Sequence, residues 1–537
     1  PLKEADKTVL LRKKEADEFY QQIQSSRLSA DEKKIQRQAL AGMIWSQQFY
    51  HYRVERWFEG DPAFPPPPTS RENIRNNHWR HLNANMVISM PDKWEYPWFA
   101  AWDLCFHSVA LATIDPALAK EQVHTLLKHQ YMHPNGQIPA YEWGFSDLNP
   151  PVQAWAALRI FRMDGSRDID FLERVFLQLI MNFTWWVNKV DKEGNNFFEG
   201  GFLGLDNISV IDRSKPLKNG GQFEESDGTG WMGFFALVMM RIALELTKKR
   251  PHFEGIALKF FEHFVYIAHA LQSSKGRDIG MWDDEDGFLY DVISYPDGRH
   301  ERLKIRSFVG IIPFYSVEFL DEDEMKQFPI FYENAHLFMR EKAELCKTCI
   351  HPDMGKKGRY LLSLMNPNQI IKAFEKIWDS DEFLSPYGLR SISKYHDKNP
   401  LYFEGSSVRY EPGESLEKVK GGNSNWRGPV WMPTNFLVLE SLIRYREALG
   451  DEWKDVPFKK LISKLRNGLI DLFRLAPERT RPAHGDYAIF NTDPHWKDLL
   501  LFYEHYHGDT GRGLGASHQT GWSGLVATLI AELEREV

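Results

Sequence analysis

At 537 residues, with 43% hydrophobic and 14% aromatic side chains, the chain exceeds the usual size of one domain and carries enough apolar surface for a large core, which excludes a disordered polymer. A formal charge of −8 with no long basic run argues against a nucleic-acid partner. No uninterrupted apolar run reaches the roughly 18 residues of a membrane span, the opening residues lack a signal-peptide pattern, and three cysteines cannot build a disulfide framework, so a cytoplasmic protein is expected. The chain opens at Pro1, which leaves room for an upstream domain.

Ser29 and Glu32 form a capping box, after which Leu40, Met43, Ile44, Tyr50, Val54 and Trp57 recur at helical spacing, predicting one long amphipathic helix. The prolines that end at Pro68 read as an extended strap. We therefore expect a helical extension over 1–64 and a second unit over 65–537. Asp115-Pro116 opens the next helix and Pro134-Asn135-Gly136 closes it. Another follows Asn149-Pro150-Pro151, and Leu172, Val175, Phe176, Leu179, Phe183, Trp186 and Val187 mark a third, which 191–196 turn toward a glycine-rich loop. Apolar helices continue over 231–246, 256–271, 367–378, 436–449, 458–473 and 522–533.

Strand signals are few. Residues 282–290 read as a short hairpin with an Asp-Gly turn, and the spacing of a calcium loop is absent there. Cys346 and Cys349 form a single CxxC without further ligands, which disfavours zinc. Thr229-Gly230-Trp231-Met232-Gly233 and Thr520-Gly521-Trp522-Ser523-Gly524 repeat one pattern at the start of two helices. Repeated loop–helix units of this kind predict an all-α fold, a closed double ring of helices with its site at the loop end.

Four stretches carry the chemistry. Gly201-Phe202-Leu203-Gly204-Leu205-Asp206-Asn207 sets one carboxylate among glycines and apolar residues, where loss of water raises an acid's pKa and suits it to proton donation. A polar turn is the plainer alternative. Glu504 lies among aromatics in Phe502-Tyr503-Glu504-His505-Tyr506 and would supply the second carboxylate of a glycosidase. Tyr96-Pro97-Trp98-Phe99-Ala100-Ala101-Trp102-Asp103 mixes rings with an acid, as a sugar site requires, or as an aromatic core would. Asn423-Ser424-Asn425-Trp426-Arg427-Gly428-Pro429-Val430-Trp431 brackets a cation with two rings, and that arginine either faces a ligand or pairs with a core carboxylate.

Together with Thr520–Gly524, these stretches resemble glycoside hydrolase family 63, which includes the processing α-glucosidase I and bacterial enzymes acting on α-glucosides or mannosylglycerate. The resemblance runs from about residue 94 to 524. It implies an (α/α)6 barrel with long loops and a few short β-hairpins, an inverting exo-acting α-glycosidase for an α-glucoside or α-mannoside, and no catalytic metal or cofactor. Carried over residue by residue, Asp206 is the general acid and Glu504 the general base, with Trp102, Asp103, Trp426, Arg427, Trp431 and Trp522 binding sugar. Two departures stand out: nothing before residue 70 looks β-rich, although family members usually carry a β-rich domain ahead of the barrel, and 283–365 match no family feature. A sugar epimerase or isomerase, or an inactive carbohydrate-binding protein, would use the same cleft. The expected partner is a small saccharide, with no nucleic acid and no membrane.

Overall fold

The computed structural model describes residues 2–142, 144–145, 147–189, 198, 203–213, 215–217, 219–273, 279–417, 419 and 424–533. Gly201 and Phe202 of the acidic loop, Asn423, and the 191–196 turn lie outside them.

Helices dominate. In chain order they begin with α1 (Leu2–Ile23), α2 (Ala30–Trp45), α3 (Val54–Glu59), α4 (Ala101–Leu111), α5 (Pro116–Thr125), α6 (Gln153–Met163), α7 (Ile169–Val187), α8 (Ser226–Thr247) and α9 (Glu254–Gln272). Pro329–Glu341, Pro367–Ile377, Met432–Leu449, Phe458–Asp471, Thr520–Ser523 and Val526–Ala531 follow, with shorter turns between them. From α4 to α9 each helix packs on the next. Edge-to-face rings fasten α7 to α9, with Phe183 and Phe260 at 4.9 Å and Phe176 and Phe260 at 5.8 Å, each pair contributing about 1 kcal/mol beyond the area it buries.

Local signals explain several helix starts. Ser29 accepts from the Glu32 N–H at 3.2 Å while the Glu32 carboxylate accepts from the Ser29 N–H at 2.9 Å. Asp115 caps α5 through the Leu118 N–H at 2.9 Å, and Asn366 with Gln369 forms a second capping box before Pro367.

The long helix expected from Ser29 onward stops at Trp45. Gln47–Arg53 is instead a strand, β1, paired antiparallel with β2 (Asn83–Ser89), and helix resumes only at Val54. This pairing covers a small core of its own, built on Tyr50, Val54, Trp79, Ile88, Phe99 and Tyr131. Helix α2 buries Ile35, Ala39, Leu40 and Met43 in the main core and packs on Val526–Ala531.

The segment 283–365 is woven into the fold. Strand Asp291–Ser294 pairs with both Gln222–Glu224 and His300–Leu303, and Arg359–Ser363 lies between Val317–Asp321 and Ile350–Pro352. The buried guanidinium of Arg241 on α8 reaches both oxygens of Glu318 at 3.2 Å and Glu324 at 2.8 Å. The hairpin expected at 282–290 forms between Trp282–Asp283 and Phe288–Leu289.

One helix among the described residues, α8, is long and apolar enough to cross a membrane, and 89% of its apolar stretch is buried inside the protein. Its Gly230 lies where a Cβ would come within 2.8 Å of the Pro313 backbone. The repeated Thr-Gly-Trp pattern thus marks two helix starts that neighbours approach closely, because at Gly521 a Cβ would meet the His107 ring.

Candidate active site

The loop before α4 makes one wall of a cavity of about 490 Å3. Pro91, Tyr96, Trp98 and Ala100 line it, Ala100 bridges to Tyr141, and the first turn of α4 adds Trp102 and Asp103. Burial is the main force on the Asp103 carboxyl and pushes it up to about 8; Glu504 adds to the rise, and its own backbone N–H opposes it. Near neutral pH Asp103 is therefore uncharged and able to donate a hydrogen bond.

Aromatic rings form the floor. Trp426 and Trp431 stack at 4.1 Å and 2°, Trp431 stacks on His505 at 4.4 Å, and Trp522 meets Trp431 and Trp102 edge-on at 5.5 and 5.1 Å. Burial holds His505 neutral, down to about 3, and among the described residues neither of its ring nitrogens has a hydrogen-bond partner. It acts as a flat apolar plate.

Asp206 sits half-buried in a turn and lines the cavity. The turn is held from behind. Asn207 donates to Ser415 Oγ and Asn425 Oδ1, both at 3.1 Å, and accepts from the Trp426 N–H at 2.6 Å. Arg427 donates through Nε to the Asn207 carbonyl at 2.7 Å and through Nη2 to the Ser209 carbonyl at 2.9 Å. Gly204, at φ +77°, lets Trp102 slide beneath the loop, since a Cβ there would lie 2.6 Å from the indole. Asp206 also acts on Tyr141, whose hydroxyl is pushed up to about 12 by burial first and then by Asp147 and Asp206.

Glu504 faces the same cavity just before the strand His505–Tyr506. Ser424 Oγ donates to its Oε1 at 2.6 Å and the Ala516 N–H to its Oε2 at 3.2 Å. Among the described residues it has no lysine or arginine partner. Burial pushes it up to about 7 against the pull of those two donors, with Glu95 and Glu414 adding to the rise. Gly515, at φ +69°, is required beside it, because a Cβ would collide with Oε2.

Of the residues expected at the site, Asp206, Glu504, Trp102, Asp103, Trp426, Trp431 and Trp522 line this one cavity. Arg427 does not. It is 1% exposed, lies behind the wall, and holds Glu411 at 3.6 Å and Glu417 at 3.4 Å in addition to the 207–209 carbonyls. Tyr96, Tyr141, Asn149, Ser424 and Gln519 also line the cavity, beyond the residues expected there. Tyr96 and Ser424 stand inside stretches notable for their neighbours, Asn149 reads in the sequence only as a helix boundary, and Tyr141 carries no local signal. Among the described residues no group of three His, Cys, Asp or Glu could hold a metal ion.

Residues 96–207 match the model of the mannosylglycerate hydrolase MGH1-like glycoside hydrolase domain, and 360–480 match the glycosyl hydrolase family 63 C-terminal domain. The chain belongs to glycoside hydrolase family 63. This family 63 chain is 45% identical to "Uncharacterized protein YMR196W" of Saccharomyces cerevisiae over 97% of its own length and 51% of that protein's. It is 26% identical to "Alpha-glucosidase 2" of Arabidopsis thaliana over 87% of its length and 56% of that protein's. The chain thus spans about half the length of the curated relatives it matches. Its fold resembles the crystal structure of the GH63 mannosylglycerate hydrolase from Thermus thermophilus in complex with glucose, at a TM-score of 0.50 and 16% identity, over 82% of this chain and 95% of that one.

Proposed function

We propose that this chain is an inverting, exo-acting α-glycosidase for an α-glucoside or α-mannoside, built on an (α/α)6 barrel. The convergence of Asp206 and Glu504 on one aromatic-floored cavity carries the reading. A cavity of about 490 Å3 is the size of a small-molecule site and holds a terminal sugar with the start of its aglycone. The names of the relatives, glucosidase and mannosylglycerate hydrolase, support this substrate class.

In the proposed reaction Asp206 gives its proton to the glycosidic oxygen as the bond from that oxygen to the anomeric carbon breaks. Glu504 takes a proton from a water that attacks the same carbon from the opposite face, and the product emerges with inverted configuration. A carboxylate whose pKa lies near 7 is a stronger base than an ordinary glutamate yet is about half ionised at neutral pH. Uncharged Asp103 donates to a sugar hydroxyl, and the indoles of Trp426 and Trp522 stack on the C–H faces of the ring.

An epimerase working through paired histidines finds less support, because among the described residues no histidine lines the cavity. The test is turnover of α-linked glucose disaccharides and mannosylglycerate, with the first-formed anomer read by NMR. Inverted product, lost in both Asp206→Asn and Glu504→Gln, is expected. Retained product, full activity in either variant, or binding without turnover across the panel would end the proposal.

A further inference from the structure

Four consecutive residues touch both halves of the proposed machinery. Ser424 Oγ donates to Glu504 Oε1 at 2.6 Å, while Asn425 Oδ1, the Trp426 N–H and the Arg427 guanidinium all fasten Asn207, the neighbour of Asp206. The strip is itself pinned. Asn425 Nδ2 donates to the carbonyls of Glu411 and Gly413, both at 2.8 Å, its Oδ1 accepts from the Arg427 N–H at 2.9 Å, and its carbonyl accepts from the Trp431 indole at 2.8 Å. Asn425 and Arg427 are 0% and 1% exposed.

From this geometry we infer that residues 424–427 are a strut that sets the spacing of Asp206 and Glu504, with Ser424 as the positioning residue that aims the glutamate. This rests on the reading of those two carboxylates as acid and base. Ser424 has one hydroxyl proton, and the carboxylate takes it. The Ser424 hydroxyl holds one carboxylate oxygen of Glu504 and the Ala516 N–H holds the other. Both oxygens being held, the lone pair left for a water points in a fixed direction. Hydrogen bonds to Asn207 and to the Glu504 carboxylate mean that a shift of the strip moves acid and base together.

The experiment uses the full chain and two readouts. The first is kcat/KM from pH 5 to 9 for Ser424→Ala on the best-hydrolysed disaccharide of the panel. The second is the pH at which Glu504 titrates, taken from the thermal stability of Ser424→Ala with and without Glu504→Gln. Loss of a donor that favours the ionised carboxylate should move the acidic limb, and the thermal titration with it, up by about one pH unit. Ser424→Thr should return both toward wild type. A lower rate with both transitions unmoved would overturn the inference, because a merely structural role changes the level and not the pH. If Ser424→Ala does not fold, Ser424→Thr is compared with the isosteric Ser424→Val, and equal pH behaviour of that pair would overturn it equally. A moved thermal titration in a wild type that turns over nothing would keep the strut and remove the reaction.

Discussion

Replacing Glu504 by glutamine should make the protein more stable in mild alkali, and the size of the gain follows from its burial. In the folded chain the carboxyl holds its proton up to about pH 7, against an ordinary value of 4.5. The folded state therefore binds more protons than the unfolded one across that interval. Stability owed to the neutral carboxyl is full below about pH 4.5, falls as the pH rises toward 7 and stays lost above it. Ionising the buried group costs about 3 kcal/mol at pH 8 and about 1 kcal/mol at pH 5. Glutamine carries no such cost. Its oxygen still accepts from Ser424, but its amide cannot accept from the Ala516 N–H, a loss of about 1 kcal/mol at every pH. The variant should thus match wild type near pH 5 and exceed it by about 2 kcal/mol at pH 8. With 537 residues unfolding, that is about 2 °C in Tm. Scanning calorimetry of both proteins from pH 5 to 8 measures it. A Tm difference that stays constant to within about half a degree over that range would refute the argument.

Two further outcomes test the supports of the site. Arg427→Met should destabilise by about 3 kcal/mol, since it leaves the buried Glu411 without its cation and two carbonyls without a donor; denaturant titration reads this, and activity should fall with it as the Asp206 turn loosens. Gly515→Ala should cost about 1 to 3 kcal/mol and at least tenfold in kcat, because its Cβ would displace Glu504 Oε2; calorimetry and steady-state kinetics check the pair, and an unchanged kcat would place Glu504 elsewhere during turnover.

Helix starts are legible in the sequence because they are local: the Ser29–Glu32 box and the Asp115 cap are complete within four residues. The strand at Gln47–Arg53 is not, because its partner lies at Asn83–Ser89 and Tyr50, Val54 and Trp57 fall by chance on a helical period. The same limit governs the site. A carboxylate among glycines and rings can be recognised in a single stretch, as Asp206 and Glu504 can, with the tryptophans. Which way a loop residue points depends on what packs behind it, so the sequence leaves Arg427 between a ligand and a core carboxylate, and in the structure it reaches the Ser209 carbonyl and Glu411. Ser424 stands in a notable stretch but carries no signal of its own. Its meaning comes from Glu504, 80 residues further along.

The seam between α2 and Val526–Ala531 has a consequence for how this enzyme comes into being. Gln36 donates to the Ala527 carbonyl at 3.1 Å, Lys34 reaches Asp498 at 2.7 Å, and Arg481 holds Asp31. Helix α2 thus waits for a partner synthesised nearly five hundred residues later, and Asp206 is made nearly three hundred residues before Glu504. A cavity that needs both Asp206 and Glu504 can close only after residue 504 has emerged from the ribosome.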